Sequence, residues 1–422
     1  MKQILELQIT AQKTETSNVI QISIIYWDKT TKIIDFNPNE SLLKILQTVS
    51  KEYPNIIQIY ENEIEGIVYT TQIINVNIRI KSIFETDYAL VFGTSGSLRA
   101  IFHGNVMLQG NFNKVIFLQD CEFCGYFSAI ECNFYDNVFF DNSIFKGYVY
   151  FSKSQFNKTA CFYGVTFEKT PNFSQAIFND NLNFINTKLN FDINECKESI
   201  KQQLKRQAEL YGSARQNTNL MLQRIPILEK IANDFRDSFR GFKSALIKDN
   251  NLLDASNYHK IELYFKEIEL DSKKPKPFSK EWIDLWQLKL YRLTSNHHTD
   301  LLRIFSCIVI LIGCFATTLF FIKDYGNPKI WYGIFWATFG VVSIFTAFDK
   351  IRYLGFFTLL SLVPCAWLIS YSPKYIFGVA SLFGNNCNSI FLNFAFSIYT
   401  ILFILLIFSL QKTARRNSII PN

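Results

Sequence analysis

Large apolar residues recur every eleven positions in the middle of this 422-residue chain: Phe112, Phe123, Phe134, Phe145, Phe156, Phe167, Phe178 and Leu189. A second track runs six residues behind the first, through Leu118, Ala129, Phe140, Phe151, Phe162, Phe173 and Phe184. Each track has a companion column two positions earlier. One column is small (Gly110, Cys121, Cys132, Ser143, Ser154, Val165, Ala176, Thr187) and the other mostly apolar (Ile116, Phe127, Val138, Val149, Ala160, Pro171, Leu182). Positions i−2 and i therefore face the same side, which is the period of a short strand. Alternating steps of six and five do not follow the 3.6-residue stripe of a helix. The Asn, Lys, Asp, Gly and Ser between the tracks suit turns. A unit this short cannot bury its own face and must stack on copies of itself. The pattern predicts a β-solenoid over residues 98–193 with stacked Phe ladders inside, roughly two units per coil and about four coils at about 4.8 Å each.

The pattern changes on both sides of this block. Residues 1–97 carry Ile-, Val-, Tyr- and Thr-rich runs at 20–26, 66–84 and 87–92 that predict strands. Residues 40–52 predict one helix. This region is expected to be a mixed α/β lead-in whose last strands form the solenoid's cap or its first irregular coils. From 194 to 300 the apolar spacing becomes three and four, as in Leu204, Ala208 and Tyr211, which is helical. Asp249-Asn250-Asn251 marks a turn between two helices. This hairpin looks similar to a tetratricopeptide-like pair, with a peptide groove as one reading. A connector that covers the last coil is the simpler one. The basic run Lys273-Lys274-Pro275-Lys276-Pro277 follows, then WIDLWQLKLYRL, with Trp282, Trp286 and Tyr291 placed for a membrane interface.

Four runs without Lys, Arg, Asp, Glu or His lie in residues 301–422, at 304–322, 330–348, 353–371 and 390–410. Each approaches the ~20 residues needed to cross a hydrocarbon core. They predict an α-helical transmembrane bundle. A further apolar run at 375–383 is too short to span.

The run from Phe156 to Phe167, F-N-K-T-A-C-F-Y-G-V-T-F, resembles the pentapeptide-repeat family, and most closely its eleven-residue, Phe-rich variant. The resemblance covers about a fifth of the chain. It implies a right-handed quadrilateral β-helix with i and i−2 inside. It implies no single function, because members range from DNA mimics to scaffolds.

Charge sharpens this picture. Residues 98–193 carry 7 basic and 8 acidic side chains, which is not the dense acidic stripe of a duplex mimic. Residues 301–422 carry 9 basic and 2 acidic, a membrane signature. Lys350, Arg352, Lys412, Arg415 and Arg416 bias the topology toward both termini in the cytoplasm. The N-terminus has no unbroken apolar core of a signal peptide, because Glu6 and Glu15 interrupt it. Richness in Ile, Asn, Lys and Phe suggests an AT-rich bacterial genome. The expected location is therefore the bacterial inner membrane, multi-pass.

Candidate chemistry is sparse. Cys121 and Cys124 form a C-x-x-C with Cys132 nearby, but Cys121 and Cys132 occupy the small inward column, and no second pair or His completes a zinc set. His297, His298 and Asp300 precede the first span, where a solvated helix start is the simpler reading than a metal site. His103 and His259 have no obvious partner. No phosphate loop, nucleophile motif or metalloprotease motif is present, so no enzyme, cofactor or metal is expected. The sequence predicts a membrane-anchored scaffold that presents a cytoplasmic solenoid to a protein partner, with a self-associating form open and no nucleic acid partner. The alternative is a channel or transporter subunit regulated by the solenoid. Against it, Gly378–Gly384 is not a T-V-G-Y-G filter, and the spans hold no charge to mark an ion path.

Overall fold

The computed structural model describes residues 4–13, 18–36, 42–64, 67–82, 90–94, 98–189, 191–212, 220–323, 353–371, 373–377 and 390–414. The chain forms two compact units, Met1–Trp282 and Ile283–Asn422.

The first unit opens with strands β1 (Ile4–Lys13), β2 (Asn18–Tyr26) and β3 (Thr31–Phe36), paired antiparallel in order. Helix α1 (Leu42–Glu52) follows and buries Ile45, Leu46 and Val49, one face of an amphipathic helix. Strands β4 (Ile57–Ile64) and β5 (Ile67–Ile74) form an antiparallel pair. Then β6 (Asn77–Ser82), β7 (Leu90–Gly93), β8 (Leu98–Phe102) and β9 (Val106–Phe112) run parallel to their neighbours. β6 pairs with β1 on one side and β9 on the other, while β8 pairs with β5. The stack therefore reaches back to residue 67, well before the eleven-residue signal starts. Partners here lie 28 residues apart, as in Ile74 with Phe102 and Ile78 with Val106. Longer connections hide the period, although the pairing persists.

From β9 onward each short strand pairs in parallel with the segment 22 residues away. Phe134 lies between Phe112 and Phe156, Phe145 between Phe123 and Phe167, and Val138 between Ile116 and Ala160. Two eleven-residue units thus make one turn of the stack, a pattern compatible with a solenoid. Inside, the rings form columns. Phe102, Phe123, Phe145 and Phe167 stack at 4.9, 4.6 and 5.2 Å. Phe112, Phe134, Phe156 and Phe178 stack at 5.4, 4.8 and 4.9 Å. Phe140, Phe162 and Phe184 stack at 5.1 and 4.8 Å. Neighbouring columns meet edge to face, as Phe151 does with Phe140 and Phe162, the geometry aromatic quadrupoles favour. Where the second track weakens to Ala129, its companion is the large Phe127, whose ring lies 5.4 Å from Phe151. Volume is exchanged between i and i−2, and the core stays filled.

The turns repeat as strictly as the rings. Asp120, Glu131, Asn142, Lys153, Gly164, Gln175 and Asn186 all have positive φ, one every eleven residues. In each of five of these turns the next residue's N–H donates to the carbonyl three positions back: Ser143 to Phe140, Ser154 to Phe151, Val165 to Phe162, Ala176 to Phe173 and Thr187 to Phe184. A left-handed third residue is what a type II turn requires. Only position 164 is glycine, with φ +66. Gly164→Ala is expected to cost about 1 kcal/mol, the penalty of a Cβ in the left-handed region. A denaturant midpoint unchanged by this substitution would contradict the turn geometry.

The small inward column carries the hydrogen bonds that the turns leave over. Ser143 Oγ donates to the Leu118 carbonyl at 2.6 Å and accepts the Cys121 N–H at 2.9 Å, so one hydroxyl satisfies two buried groups of the preceding coil. Ser154 repeats this with the Ala129 carbonyl and the Cys132 N–H.

Three helices close the far end: α2 (Ile193–Gly212), α3 (Leu220–Lys248) and α4 (Leu252–Ser272). Asn250 adopts φ 57 and Asn251 caps α4 by accepting the Asp254 N–H at 3.2 Å, so the predicted turn lies between α3 and α4. Phe242 of α3 sits 4.1 Å from Phe184 and 4.9 Å from Phe173, and Ser238 Oγ accepts the Phe173 N–H at 3.1 Å. The hairpin thus covers the last coil, the connector reading rather than the open groove. His259, for which the sequence showed no partner, lies 3.2 Å from Glu262, which also receives Lys243 at 2.7 Å and Arg240 at 3.1 Å. Burial alone would raise the Glu262 carboxyl, but hydrogen bonds from His259 and Lys243 and the lysine charge outweigh it and hold it at about 2. A depressed carboxyl contributes stability above its ordinary value near 4.5 and loses it as pH falls toward 2. Glu262→Gln is expected to destabilise the protein at neutral pH and to flatten the decline between those two pH values. A parallel decline in both proteins would show that the carboxyl contributes nothing.

The second unit begins within α5 (Lys280–Ser295) and contains α6 (Leu301–Lys323), α7 (Tyr353–Tyr371) and α8 (Ile390–Ala414). Among the described residues two helices are long and apolar enough to cross a membrane, over Leu301–Leu319 and Asn393–Ala414, and α7 holds a shorter apolar stretch, Gly355–Ser370. The expected span at 330–348 lies outside the described residues. So does most of the short apolar run at 375–383, which begins in a 3-10 turn at Pro373–Ile376. The helices pack around Phe315, Leu319, Leu368, Phe396 and Tyr399, with the Phe315 and Tyr399 rings stacked at 4.0 Å. Gly313 allows α6 to approach Ser361 of α7 closely.

Candidate interaction surface

The eleven-residue tracks supply a core, and the residues between them supply the outer surface. The predicted core residues Phe123, Phe134, Phe140, Phe145, Phe151, Phe156, Phe162, Phe167, Phe173 and Phe184 are buried, as is Phe112 at the start. Phe178 and Leu189 are half-buried, because no further coil lies over them. The buried side chains are not available to a ligand. Any contact must be made by the outward columns.

One side of the stack is already covered. Ser128, Tyr150 and Asn172 alternate with inward residues and so point outward, yet all three are buried. Lys169 Nζ reaches Glu195 at 3.5 Å, at the start of α2, and α2 buries Cys196, Ser199 and Ile200. Burial, followed by the charges of Glu195 and Glu198, raises the neighbouring Tyr148 hydroxyl. Helix α2 therefore lies along this side.

A second side carries an amide ladder. Asn133 Nδ2 donates to Asn111 at 2.9 Å, Gln155 to Asn157 at 2.8 Å, and Asn179 to Asn157 at 2.8 Å. On a third side Phe117 and Phe139 point outward, half-buried and stacked at 5.3 Å with planes 9° apart, and Cys161 follows them in register. Several charged groups on the stack are paired between coils. Lys146 and Arg99 meet Glu122 at 2.5 and 3.1 Å, Lys158 meets Asp136 at 2.9 Å, and Lys153 meets Glu131 at 2.8 Å. Such exposed pairs add little stability. Their consequence is that the surface of the stack is locally neutral where they occur.

The cysteine and histidine candidates resolve differently. Burial pushes the Cys121 thiol far above its usual range and the Cys132 thiol up to about 12. Cys132 Sγ donates to the Leu108 carbonyl at 3.2 Å. Both are packing groups, while Cys124 is half-exposed beside Glu122. His297 and His298 are buried, which corrects the expectation of a solvated helix start. They sit in a turn in which Asn296, His297 and His298 all have positive φ. His298 Nδ1 is 3.0 Å from Ser409 Oγ of α8, and its ring is 4.8 Å from Tyr291. Asp300 caps α6 by accepting the Arg303 N–H at 3.0 Å. Among the described residues no cluster of three His, Cys, Asp or Glu side chains is arranged to hold a metal ion.

Sequence reasoning missed the outward Phe117–Phe139 column, although its signal was present. The residue just before the second track alternates between two sides of the stack. Read at a period of 22 rather than eleven, it gives Phe117, Phe139, Cys161 and Asn183 on one side and Ser128, Tyr150 and Asn172 on the other. Compared with family models, known proteins and solved structures, the chain matches none.

Proposed function

We propose that the protein is a membrane-anchored scaffold whose parallel stack docks a protein partner. In this reading the stack is a right-handed quadrilateral β-helix of the pentapeptide-repeat kind. The C-terminal region crosses a bacterial inner membrane four times, at 304–322, 330–348, 353–371 and 390–410, with both termini cytoplasmic. The observation that carries the docking role is the open side bearing Phe117 and Phe139, held rigid by the register of 22. Aromatic groups on a flat, preorganised surface are the residues that anchor protein interfaces. Neutral, internally paired sides speak for a protein rather than a nucleic acid. Apolar helices that fix the protein in a membrane complement such a role.

Site-specific photo-crosslinking in cells tests this. A photoreactive residue at position 139 is expected to give one defined adduct, and the same residue at position 150, on the covered side, none. Absence of an adduct at 139 and at the amide-ladder position 133 would remove the docking role.

A further inference from the structure

We propose that α5 is an interfacial helix that lies against the anionic headgroup layer of the membrane, an inference that rests on the membrane reading above. Ile283, Trp286, Leu290 and Leu293 fall at i, i+3, i+7 and i+10, one stripe of a helix. Ile283 is 53% exposed, Trp286 54% and Leu293 64%. Leu285 and Ser295 lie off this stripe and are buried, and the stripe itself is buried only at its C-terminal end, at Thr294. From Ile283 to Leu293 the exposed stripe is therefore not the side by which α5 packs. At the start of α6, Leu302 is 80% exposed and Leu301 and Phe305 are exposed beside it. α6 is itself long and apolar enough to cross a membrane.

Exposed apolar surface alone does not choose an occupant. The cations choose it. Between Lys273 and Arg303 the chain holds seven basic and three acidic side chains. Lys289 sits over the Trp286 ring at 5.7 Å, and Arg292 and Arg303 lie close by in sequence and fold, with Arg303 donating to the Arg292 carbonyl at 3.5 Å. A second copy of the chain on the same stripe would bring Lys289 and Arg292 toward their own counterparts, which repel. An anionic lipid layer accepts the aliphatic and indole groups and pairs with the cations at the same depth. The left-handed turn at 296–298 fixes the join: His297 N–H donates to the Tyr291 carbonyl at 3.1 Å and Asp300 N–H to the Ser295 carbonyl at 3.1 Å. α5 is thereby held as a separate helix instead of continuing into α6.

The test uses the full chain in lipid nanodiscs, either of phosphatidylcholine alone or with added phosphatidylglycerol, each prepared with lipids brominated near the headgroup end of the acyl chain. The Trp286 signal is the difference between wild type and Trp286→Phe. It is expected to be quenched about twofold more strongly in the anionic discs, and the gain is expected to vanish at high salt, where surface charge is screened. Lys289→Gln with Arg292→Gln is expected to remove the gain while leaving the remaining tryptophans quenched. Equal quenching in both lipids overturns the role of the anionic layer, an unquenched Trp286 among quenched tryptophans overturns the interfacial placement, and either result leaves the membrane reading standing. A blue-shifted, unquenched Trp286 that depends on protein concentration assigns the stripe to a second copy and also overturns it. If no tryptophan is quenched, the membrane reading fails and the proposal with it.

Discussion

Phe151→Ala is expected to lower the stability of the first unit by about 3–5 kcal/mol, the range for removing a fully buried aromatic side chain. Phe151 touches rings on every side: Phe173 at 4.7 Å, Phe127 at 5.4 Å, Phe140 at 5.5 Å, and Phe156 and Phe162 at 5.8 Å. Truncation leaves a void that strands hydrogen-bonded above and below cannot close, because their register is fixed by the turns. Phe178→Ala, at the half-buried end of its column, is expected to cost less, about 1–3 kcal/mol. Denaturant midpoints of the two variants, followed by near-ultraviolet circular dichroism, check the ranking. Equal losses would mean that the columns do not form a continuous core.

Gly147→Ala is expected to be at least as damaging, about 3 kcal/mol or more, for the opposite reason. A Cβ at this position would lie 2.1 Å from the carbonyl oxygen of Gly125 and 2.5 Å from its carbonyl carbon. Those are backbone atoms of the neighbouring coil and cannot rotate away. Gly125 meets Gly104 in the same manner, at 2.6 Å, so three glycines form a column in which adjacent coils touch. Position 147 is not in the left-handed region, so the penalty is steric. Gly164 supplies the contrast. Its Cβ would meet only the Asn142 side chain, at 2.6 Å, and its cost is conformational. Gly147→Ala is expected to abolish the cooperative unfolding transition, whereas Gly164→Ala keeps it. Similar midpoints for the two would show that the coils are further apart than described.

The rings of the stack were legible in the sequence because one residue type recurs without a gap. Seven Phe at a spacing of eleven specify the inward face, and a period of five and six specifies strands. The turns were legible only in kind. Asn142 and Asn186 suggest left-handed residues, but Lys153, Glu131 and Gln175 adopt the same φ against their own preference, because the coils on either side impose it. The first coils were legible only as irregular strands that cap or begin the stack, since the connections between Ile74 and Phe102 are long enough to erase the period while the parallel pairing persists. The outward Phe117–Phe139 pair was hidden by searching at one unit instead of one full turn. The buried His298 meets Ser409, more than a hundred residues away, a contact which no local pattern carries.

The most direct measurement of the scaffold role is quantitative co-purification from native membranes, comparing the wild-type chain with Phe117→Lys/Phe139→Lys. Both side chains point outward, so the double variant is expected to keep its thermal transition and its membrane fraction. The predicted result is a stoichiometric protein partner that crosslinks at position 139 and is lost in the variant. A wild-type protein that purifies only with itself, and that conducts ions when reconstituted into vesicles, would contradict the scaffold and establish the channel reading in its place.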